Sequence, residues 1–540
     1  MSNAYFVPPT ATNEPIYSYA PGTPEREELK RTITELKSEV KNLPMYINGK
    51  AVETNDVREA TCPYDHKHVI GKYHYGDKSH VTAAIDAALE ARKKWSQMPW
   101  EHRASIFLRA ADLISNKYRY KINAGTMLTQ SKNAFQSEID AVCEFADFIR
   151  FNVQFMTQIY AEQPESSEGM WNRLEYRPLE GFVFAITPFN FTAIAGNLPL
   201  APVLMGNVCV WKAADSQLYS ANQVMELFME AGVPAGVINL IHVDGPVAGD
   251  VVFNHPDFSG LHFTGSTGVF KHLWKTIGTN IDKYKTYPRI VGETGGKDFI
   301  VAHKSAKPKA VATAMSRGAF EFQGQKCSAA SRAYVSASIW PEVKEELLKQ
   351  VSSFKVGTPE DFSNFVNAVI DRPAFNKIKA FIDEVKKTDA EILIGGNCDD
   401  SVGYFIEPTV ILTKDPKYRT MCEEIFGPVL TVFVFEDDAY EETLELVDST
   451  SDYALTGCIL AEDRYVIVDS MKKLENAAGN FYINDKPTGA VVGQQPFGGA
   501  RGSGTNDKAG SYLNLLRWVS PRTIKETLVS PEHYAYPFMG

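Results

Sequence analysis

A long stretch without a charged residue, from Gly181 to Trp211, most constrains the fold of this chain. Its length would suit a transmembrane helix. Helix-breaking and amide residues interrupt it, however, at Pro188, Asn190, Asn197, Pro199 and Pro202. The stretch is therefore predicted to form a buried strand at 182–186, a loop, a short helix and a second buried strand at 208–212.

Strand and helix signals alternate after this stretch. Two more strands are expected at 237–243 and 260–263, with a helix at 221–231. Earlier helices are predicted at 25–43, at 79–95 with Ser79 as N-cap, at 104–115 and at 135–160. Apolar strands alternating with helices indicate an α/β fold, in which a parallel sheet is covered on both faces and binds ligands beyond the carboxyl ends of its strands.

Composition narrows the class of partner. The 540 residues suggest two or three domains. With 55 basic and 66 acidic residues, the formal charge is −11, which argues against nucleic acid or an anionic membrane surface as the main partner. Seven cysteines without metal-binding spacing fit reduced thiols in a cytosolic or matrix compartment and no metal site.

The segment from Met1 to Pro24 is predicted to be a loose arm because its prolines discourage regular structure. No Lys or Arg precedes Arg26, so the arm is typical of neither a secretory signal nor an Arg-rich transit peptide. Removal of a presequence stays open, and the arm leaves the compartment undecided.

Two features lie where predicted strands end. The turn from Thr264 to Gly268 precedes a helix expected at 269–277, so it offers backbone N–H groups and the positive end of a helix. The turn lacks the GxGxxG pattern and is equally typical of an ordinary strand–helix connection. Lys212 ends another strand, where its amine either extends to solvent or donates to ribose hydroxyls.

Cys327 lies among small residues, after Gly324 and before a strand-like segment at 333–336. Small neighbours leave the sulfur accessible, so the thiol is a candidate nucleophile, with a buried packing thiol as the alternative. Glu293, on a glycine-rich turn, is a candidate for reaching a water, and Glu424 lies beside two apolar residues. Each acid alone is more typical of a solvated loop.

The order and spacing of these segments resemble the aldehyde dehydrogenase superfamily from about Tyr46 to Thr527. The motifs that carry the resemblance are Pro188-Phe189-Asn190-Phe191, Lys212, Gly265-Ser266-Thr267, Glu293-Thr294-Gly295-Gly296-Lys297, Gly324-Gln325-Lys326-Cys327, Glu424-Ile425-Phe426-Gly427-Pro428 and Pro496-Phe497-Gly498-Gly499. Longer stretches resemble the branch of that family that oxidises L-glutamate γ-semialdehyde; they cover 187–194, 320–332, 477–486 and 493–507.

The resemblance implies a Rossmann-like parallel-sheet cofactor domain, an α/β catalytic domain and a β-flap for oligomerisation. It implies NAD as the cofactor and oxidation of the semialdehyde to L-glutamate, the second step of proline catabolism. Cys327 would attack the aldehyde to form a thiohemiacetal. Asn190 and the backbone N–H of Cys327 would hold the oxyanion, and Glu293 would activate the water that hydrolyses the thioester.

The resemblance also implies binding residues. NAD would contact Thr187, Lys212, Gly265, Ser266, Thr267, Gly268, Val269, Glu424 and Phe426. The substrate would contact Ser328, Gly489, Ala490, Phe191, Phe497 and Glu144. Glu144 is either the partner of the substrate ammonium or an acid on a helix surface. The family often has serine at Ala490; because the turn would bind the carboxylate through backbone N–H groups, this departure is mild.

Two departures affect the cofactor site. Phe270 stands where many family members have a second glycine, which agrees with the semialdehyde branch and leaves the phosphate contacts open. Ala213-Ala214-Asp215 replaces a frequent Pro-Ser-Asp near the position that discriminates between NAD and NADP. NAD is expected, and use of NADP stays open.

The expected domain division consists of an N-terminal arm and helix at 1–44, an NAD-binding domain at 45–158 and 179–291, a catalytic domain at 292–490, and an oligomerisation flap with C-terminal tail at 159–178 and 505–540. The polar segment 171–177 is predicted to pair with a strand at 515–519, which indicates a homodimer or higher homo-oligomer. The resemblance implies the mitochondrial matrix, with the cytoplasm as the alternative and no membrane insertion.

Two other functions stay open. Another NAD(P)-dependent semialdehyde dehydrogenase, for instance one acting on a succinate-type substrate, would favour a basic side chain at the carboxylate site. A cysteine hydrolase would need a histidine beside Cys327, and none lies near it in the sequence.

Overall fold

A computed structural model describes residues 4–540, so the first three residues of the predicted arm lie outside it. The strands up to residue 293 are β1 (Lys41–Leu43), β2 (Met45–Ile47), β3 (Lys50–Val52), β4 (Val57–Cys62), β5 (Asp65–His74), β6 (Met170–Pro178), β7 (Phe182–Ile186), β8 (Cys209–Lys212), β9 (Ile238–Ile241), β10 (Phe258–Thr264) and β11 (Arg289–Glu293). The later strands are β12 (Asp298–Ala302), β13 (Ala330–Ser336), β14 (Glu391–Ile394), β15 (Cys398–Asp399), β16 (Phe405–Ile406), β17 (Thr409–Thr413), β18 (Val429–Phe435), β19 (Tyr453–Ala454), β20 (Thr456–Leu460), β21 (Asn480–Ile483), β22 (Ala500–Arg501) and β23 (Val519–Thr527).

The α-helices are α1 (Pro24–Lys37), α2 (Lys78–Trp95), α3 (Trp100–Ser115), α4 (Arg119–Gln130), α5 (Ala134–Ser137), α6 (Phe145–Ala161), α7 (Thr192–Leu204), α8 (Leu218–Ala231), α9 (Gly245–Val252), α10 (Thr267–Thr279), α11 (Pro308–Phe320), α12 (Trp340–Ser352), α13 (Arg372–Val385), α14 (Arg419–Cys422), α15 (Tyr440–Ser449), α16 (Arg464–Lys473) and α17 (Tyr512–Leu516). A π-helical segment, Glu138–Glu144, joins α5 to α6. Within residues 4–540, no helix is both long enough and apolar enough to cross a membrane.

Sheet I has the strand order β11-β10-β7-β8-β9-β2-β3. Its first five strands in that order run parallel, and β2 and β3 are antiparallel additions at one edge. The chain places β8 and β9 on one side of β7 and places β10 and β11 on the other. The strand order therefore reverses between β7 and β10, which creates a ligand-binding crevice at the carboxyl ends of these strands.

Sheet II has the strand order β14-β17-β18-β13-β12-β20-β21 and is parallel apart from β14. Alternate residues of β12 face two different cores. Phe299 and Val301 pack with Tyr334 on one face, whereas Ile300 and Ala302 pack with other apolar side chains on the opposite face. Both faces are buried because helices cover each of them, and the predicted α/β fold class is confirmed.

An antiparallel ribbon, formed by β6 and β23, pairs residues 170–178 with residues 519–527. The predicted strand at 515–519 is wrong in its range, because α17 extends to Leu516 and the strand begins only at Val519. Trp518 lies between them and is fully buried against sheet I. Its ring centroid is 4.8 Å from that of His262, and its carbonyl accepts a hydrogen bond from Asn207 Nδ2 at 2.8 Å.

The predicted strand at 182–186 is confirmed, and the other strands and helices differ mainly at their ends. The helix expected at 25–43 ends at Lys37, and residues 41–43 form β1. The N-cap of α2 is Asp77 and not Ser79, because the Asp77 carboxylate accepts the backbone N–H of Ser79 at 2.9 Å. The helix expected at 135–160 is interrupted by the π-helical segment.

Candidate active site

The carboxyl ends of the parallel strands in sheet I bring several predicted site residues together. The last residues of β7 and β8 are paired, as are those of β10 and β11. The N–H of Thr187 donates to the carbonyl of Lys212 at 3.1 Å, and the N–H of Gly265 donates to the carbonyl of Glu293 at 3.2 Å. These four residues therefore share one edge of the sheet; the sequence places Lys212 and Gly265 at the ends of strands, but not Glu293.

The groups at this edge suit a dinucleotide. The Lys212 side chain is only 13% exposed, and its Nζ lies 3.9 Å from Asp215 Oδ1, so the amine has donors to spare. Burial lowers the pKa of Lys212, while Asp215 acts in the opposite direction. Ser266 caps α10 by accepting the N–H of Val269 at 3.4 Å, and the first turn of α10, with Thr267 and Gly268, points its positive end at the crevice.

Glu424 reaches the same crevice from sheet II. Its Oε1 accepts the N–H of Gly296 at 3.0 Å, and a Cβ at Gly295 would lie 2.3 Å from Oε2, so a larger residue there would displace the Glu424 carboxylate from this position. Burial raises the pKa of Glu424, whereas the Gly296 N–H favours the ionised form. Phe426 has a φ of +62°, and its ring packs edge-on against Phe189 at 5.9 Å.

Cys327 lies just before β13, at the amino end of sheet II, in a loop with unusual backbone conformations. The φ angles of Phe322, Gln323 and Gly324 are 51°, 55° and 67°. A Cβ at Gly324 would lie 2.2 Å from the carbonyl oxygen of Gly427. The Gln323 amide donates to two backbone carbonyls at 2.9 Å. These contacts hold a left-handed run that costs about 1–3 kcal/mol for each non-glycine residue.

Two hydrogen-bond donors predicted to hold an oxyanion lie close together. Asn190 is buried and its Nδ2 donates to the carbonyl of Gln325 at 3.0 Å, which leaves its second N–H available. Across the described part of the chain, the backbone N–H of Cys327 donates no hydrogen bond. Gln325 thus couples the loop after β7 to the loop that carries the thiol.

The electrostatic surroundings of Cys327 are acidic. Burial raises the pKa of its thiol, and the carboxylates of Asp298 and Glu293 raise it further. Glu424 and Glu144 act in the same direction. The largest influences on this pKa are burial and carboxylates, and not a histidine of the kind that a cysteine hydrolase pairs with its thiol. Burial and the nearby acids thus disfavour the thiolate of this half-buried residue in the free protein.

Glu293 is the last residue of β11 and not part of the following turn, where the sequence places it. Its Oε2 accepts the N–H of Gly499 at 3.1 Å. Burial raises the pKa of Glu293 well above its ordinary value, while the Gly499 N–H and the charge of Lys508 act in the opposite direction. A carboxyl group with a raised pKa can accept a proton from water near neutral pH.

The predicted carboxylate-binding turn lies beside the nucleophile. Ser328 and Thr488 share a hydrogen bond of 2.7 Å between their hydroxyls. Thr488 directly precedes Gly489, which is exposed, and Ala490, which is half-buried. This contact brings the turn next to the residue that follows Cys327.

The remaining predicted substrate residues are Phe191, Phe497 and Glu144. Phe191 packs edge-on against Phe322 at 6.4 Å, and Phe497 directly precedes the loop that binds Glu293. Glu144 is the last residue of the π-helical segment and is partly exposed. Burial and Asp140 raise the pKa of Glu144 to about 8. It is therefore not an ordinary solvated helix acid, and its contact with an ammonium stays a prediction.

A buried ion pair that the sequence does not single out supports this region. Lys132 Nζ lies 2.6 Å from Asp140 Oδ2, and both side chains are fully buried. The amine lies 4.0 Å from the ring centroid of Phe191, and Asp140 accepts the N–H groups of Thr192 and Ala193 at 3.0 and 2.8 Å. The pair thus fixes the start of α7. The sequence feature that could have indicated this pair is an acidic residue at position 140 among apolar residues.

Comparisons with known proteins agree with this arrangement. The Aldehyde dehydrogenase family matches residues 51–524. The chain is similar to a probable delta-1-pyrroline-5-carboxylate dehydrogenase of Schizosaccharomyces pombe, with 53% identity over 99% of both chains. It is similar to a mitochondrial delta-1-pyrroline-5-carboxylate dehydrogenase of Homo sapiens, with 48% identity over 98% of this chain and 94% of that protein. It also resembles the crystal structure of the Mycobacterium tuberculosis delta-pyrroline-5-carboxylate dehydrogenase bound with NAD, with a TM-score of 0.97, 49% identity and full coverage of both chains.

Proposed function

The chain belongs to the aldehyde dehydrogenase family, and we propose that it oxidises L-glutamate γ-semialdehyde, in equilibrium with 1-pyrroline-5-carboxylate, to L-glutamate. This reaction is the second step of proline catabolism. NAD is the cofactor and accepts the hydride of the aldehyde carbon when bound. Lys212 and Glu424 would hold its ribose groups. Its diphosphate would be held by Gly265, Ser266 and the first turn of α10.

The hydrogen bond between Ser328 and Thr488 is the observation on which this choice of substrate rests. It links the residue after the nucleophile to a turn whose backbone N–H groups, at Gly489 and Ala490, suit a carboxylate. An amino acid that carries its aldehyde at the far end of the side chain would then span the distance between this turn and Cys327. A simple aldehyde would leave the turn unused.

The chain's own residues would perform the chemistry in two stages. The Cys327 sulfur attacks the aldehyde carbon and releases its thiol proton to solvent, while Asn190 and the Cys327 N–H stabilise the oxyanion. After hydride loss leaves a thioester, Glu293 removes a proton from water, and the resulting hydroxide displaces the sulfur and releases glutamate. One water is consumed in each turnover.

Assembly and compartment are also part of the proposal. The ribbon of β6 and β23 has exposed edges and exposed residues such as Trp171, which suits pairing with a second copy in a homodimer or a higher homo-oligomer. The mitochondrial designation of several relatives, including the human protein, supports the mitochondrial matrix.

A spectrophotometric assay tests the proposed reaction. Purified protein is mixed with NAD and 1-pyrroline-5-carboxylate, and NADH absorbance is followed; succinate semialdehyde and NADP replace substrate and cofactor in parallel reactions. We expect the fastest NADH formation with pyrroline-5-carboxylate. No signal, or a higher kcat/KM with succinate semialdehyde, contradicts the proposed substrate.

A further inference from the structure

Residues 11–19 of the N-terminal arm, which we call the strap, cross the molecule without forming a helix or strand. Asn13 is the centre of one set of contacts. Its Nδ2 donates to Asp147 Oδ2 and to the carbonyl of Val492, both at 2.8 Å. Its Oδ1 accepts from Gln494 Nε2 at 2.9 Å. Asn13 therefore joins α6 to the loop that follows the Gly489–Ala490 turn.

Glu14 anchors the strap to the helical layer. Its backbone N–H donates to Asp147 Oδ1 at 2.7 Å. Its carboxylate forms ion pairs with Arg119 and Arg150, each at 2.7 Å, and its side chain is only 8% exposed. A carboxylate this buried and paired with two guanidinium groups is held in one position.

The strap also forms hydrogen bonds with the first residue of the π-helical segment, Glu138. The N–H of Tyr17 donates to Glu138 Oε1 at 3.0 Å, and the buried hydroxyl of Tyr19 donates to Glu138 Oε2 at 2.6 Å. Arg119 binds the same carboxylate and stacks on the ring of Tyr17 at 3.5 Å. Glu138 begins the segment that ends at Glu144. The strap thus contacts both the segment that carries Glu144 and the loop beyond Ala490.

We propose that the strap is a positioning element for substrate recognition, which sets the distance between the carboxylate-binding turn at 489–490 and the ammonium-binding Glu144. This inference rests on the proposed function. An amino-acid head group needs both groups at fixed separation, and a shift of about 1 Å is enough to weaken such recognition strongly. An aldehyde without a head group uses neither, so the strap acts only on substrates that carry one.

The test compares two aldehydes in an Asn13→Ala variant. We expect the KM for pyrroline-5-carboxylate to rise about tenfold, because two hydrogen bonds to the loop and one to a carboxylate are lost. The kcat for this substrate, and the KM for propanal, stay within about twofold of the parent enzyme. The dissociation constant of L-glutamate, measured by calorimetry in the presence of NAD, rises by the same factor as the KM.

Two further variants separate positioning from folding. Thr12→Ala, an exposed neighbour on the strap, should match the parent enzyme. Gln494→Ala removes one of the two hydrogen bonds between the loop and Asn13 and leaves the bond from Asn13 to the Val492 carbonyl. It should reproduce part of the rise in KM, even if Asn13→Ala fails to fold. Equal losses with both aldehydes, or an unchanged KM for pyrroline-5-carboxylate, overturn the inference alone. A parent enzyme inactive on pyrroline-5-carboxylate but active on propanal overturns the proposed function, and the inference with it.

Discussion

Sheets I and II use opposite ends of their strands at the active site. Sheet I presents the carboxyl ends of β7, β8, β10 and β11, the usual place for ligands in an α/β sheet. Sheet II presents amino ends, because Cys327 precedes β13 and Asp298 begins β12. The two edges face each other, and the site lies between them.

This difference shows two ways of positioning a functional group. In sheet I, the strand register alone aligns Lys212 and Glu293. In sheet II, a specific loop is needed before the strand, and the left-handed run at 322–324 provides it. We therefore expect substitutions of residues that lie only at the edge of sheet I to weaken cofactor binding. Substitutions of residues that contact the nucleophile loop should instead slow the chemical step.

The strongest test is Cys327→Ala. Because the covalent intermediate is proposed to form on this sulfur, kcat should fall at least about 10⁴-fold, while NAD binding, measured by calorimetry, stays unchanged. Cys398→Ala, a half-buried thiol on the β15–β16 hairpin, serves as the control with parent activity. A Cys327→Ala enzyme that retains the parent rate would refute the proposal that the edge of sheet II supplies the nucleophile.

Glu293→Gln tests a residue that ends a strand of sheet I but is proposed to act on the thioester. We expect kcat to fall about 10³-fold, with a burst of NADH in the first turnover because thioester hydrolysis becomes slow. The ionised form is the base, so the parent rate should fall as the pH drops through the raised pKa of Glu293. This limb of the pH profile disappears in the variant. A pH profile identical to that of the parent would assign the base elsewhere.

Asn190→Ala tests a residue that contacts both edges. Asn190 follows β7 of sheet I, yet its side chain binds the nucleophile loop of sheet II through Gln325. Loss of one oxyanion donor should lower kcat about 10²-fold and leave the KM for NAD unchanged. Steady-state kinetics with varied NAD and varied aldehyde distinguish these parameters. If the KM for NAD rises while kcat is maintained, Asn190 belongs with the cofactor residues.

Lys212→Ala should have the smallest effect. The variant loses a buried amine at the carboxyl edge, so the KM for NAD should rise about tenfold, with less than a threefold change in kcat. Lys78→Ala, an exposed lysine paired only with Asp250 at the surface, is the matched control. A large loss of kcat in Lys212→Ala at saturating NAD would contradict the proposal that the sheet I edge serves cofactor binding and the sheet II edge serves the chemical step.

The sequence predicts sheet I better than the sheet II edge, for a physical reason. Charge-free strands and glycine turns are local signals, so β7 and the turn at 264–268 can be identified directly. The left-handed run at 322–324 depends on contacts with residues far away in the chain, such as Gly427. Asp140 of the Lys132–Asp140 pair lies inside a π-helical segment, where α-helical spacing gives no signal. The site residues Cys327, Glu293 and Asn190 were accessible through motif resemblance rather than periodicity.

The position of Trp518 has a consequence for biosynthesis. All strands of sheet I leave the ribosome long before this residue, yet Trp518 fills the space beside His262 and pairs with Asn207. Until translation passes it, the nascent sheet carries an uncovered apolar patch, and the Asn207 amide lacks one of its two hydrogen-bond acceptors. We expect this interval to be the stage at which the growing chain is most prone to aggregate and most in need of chaperones.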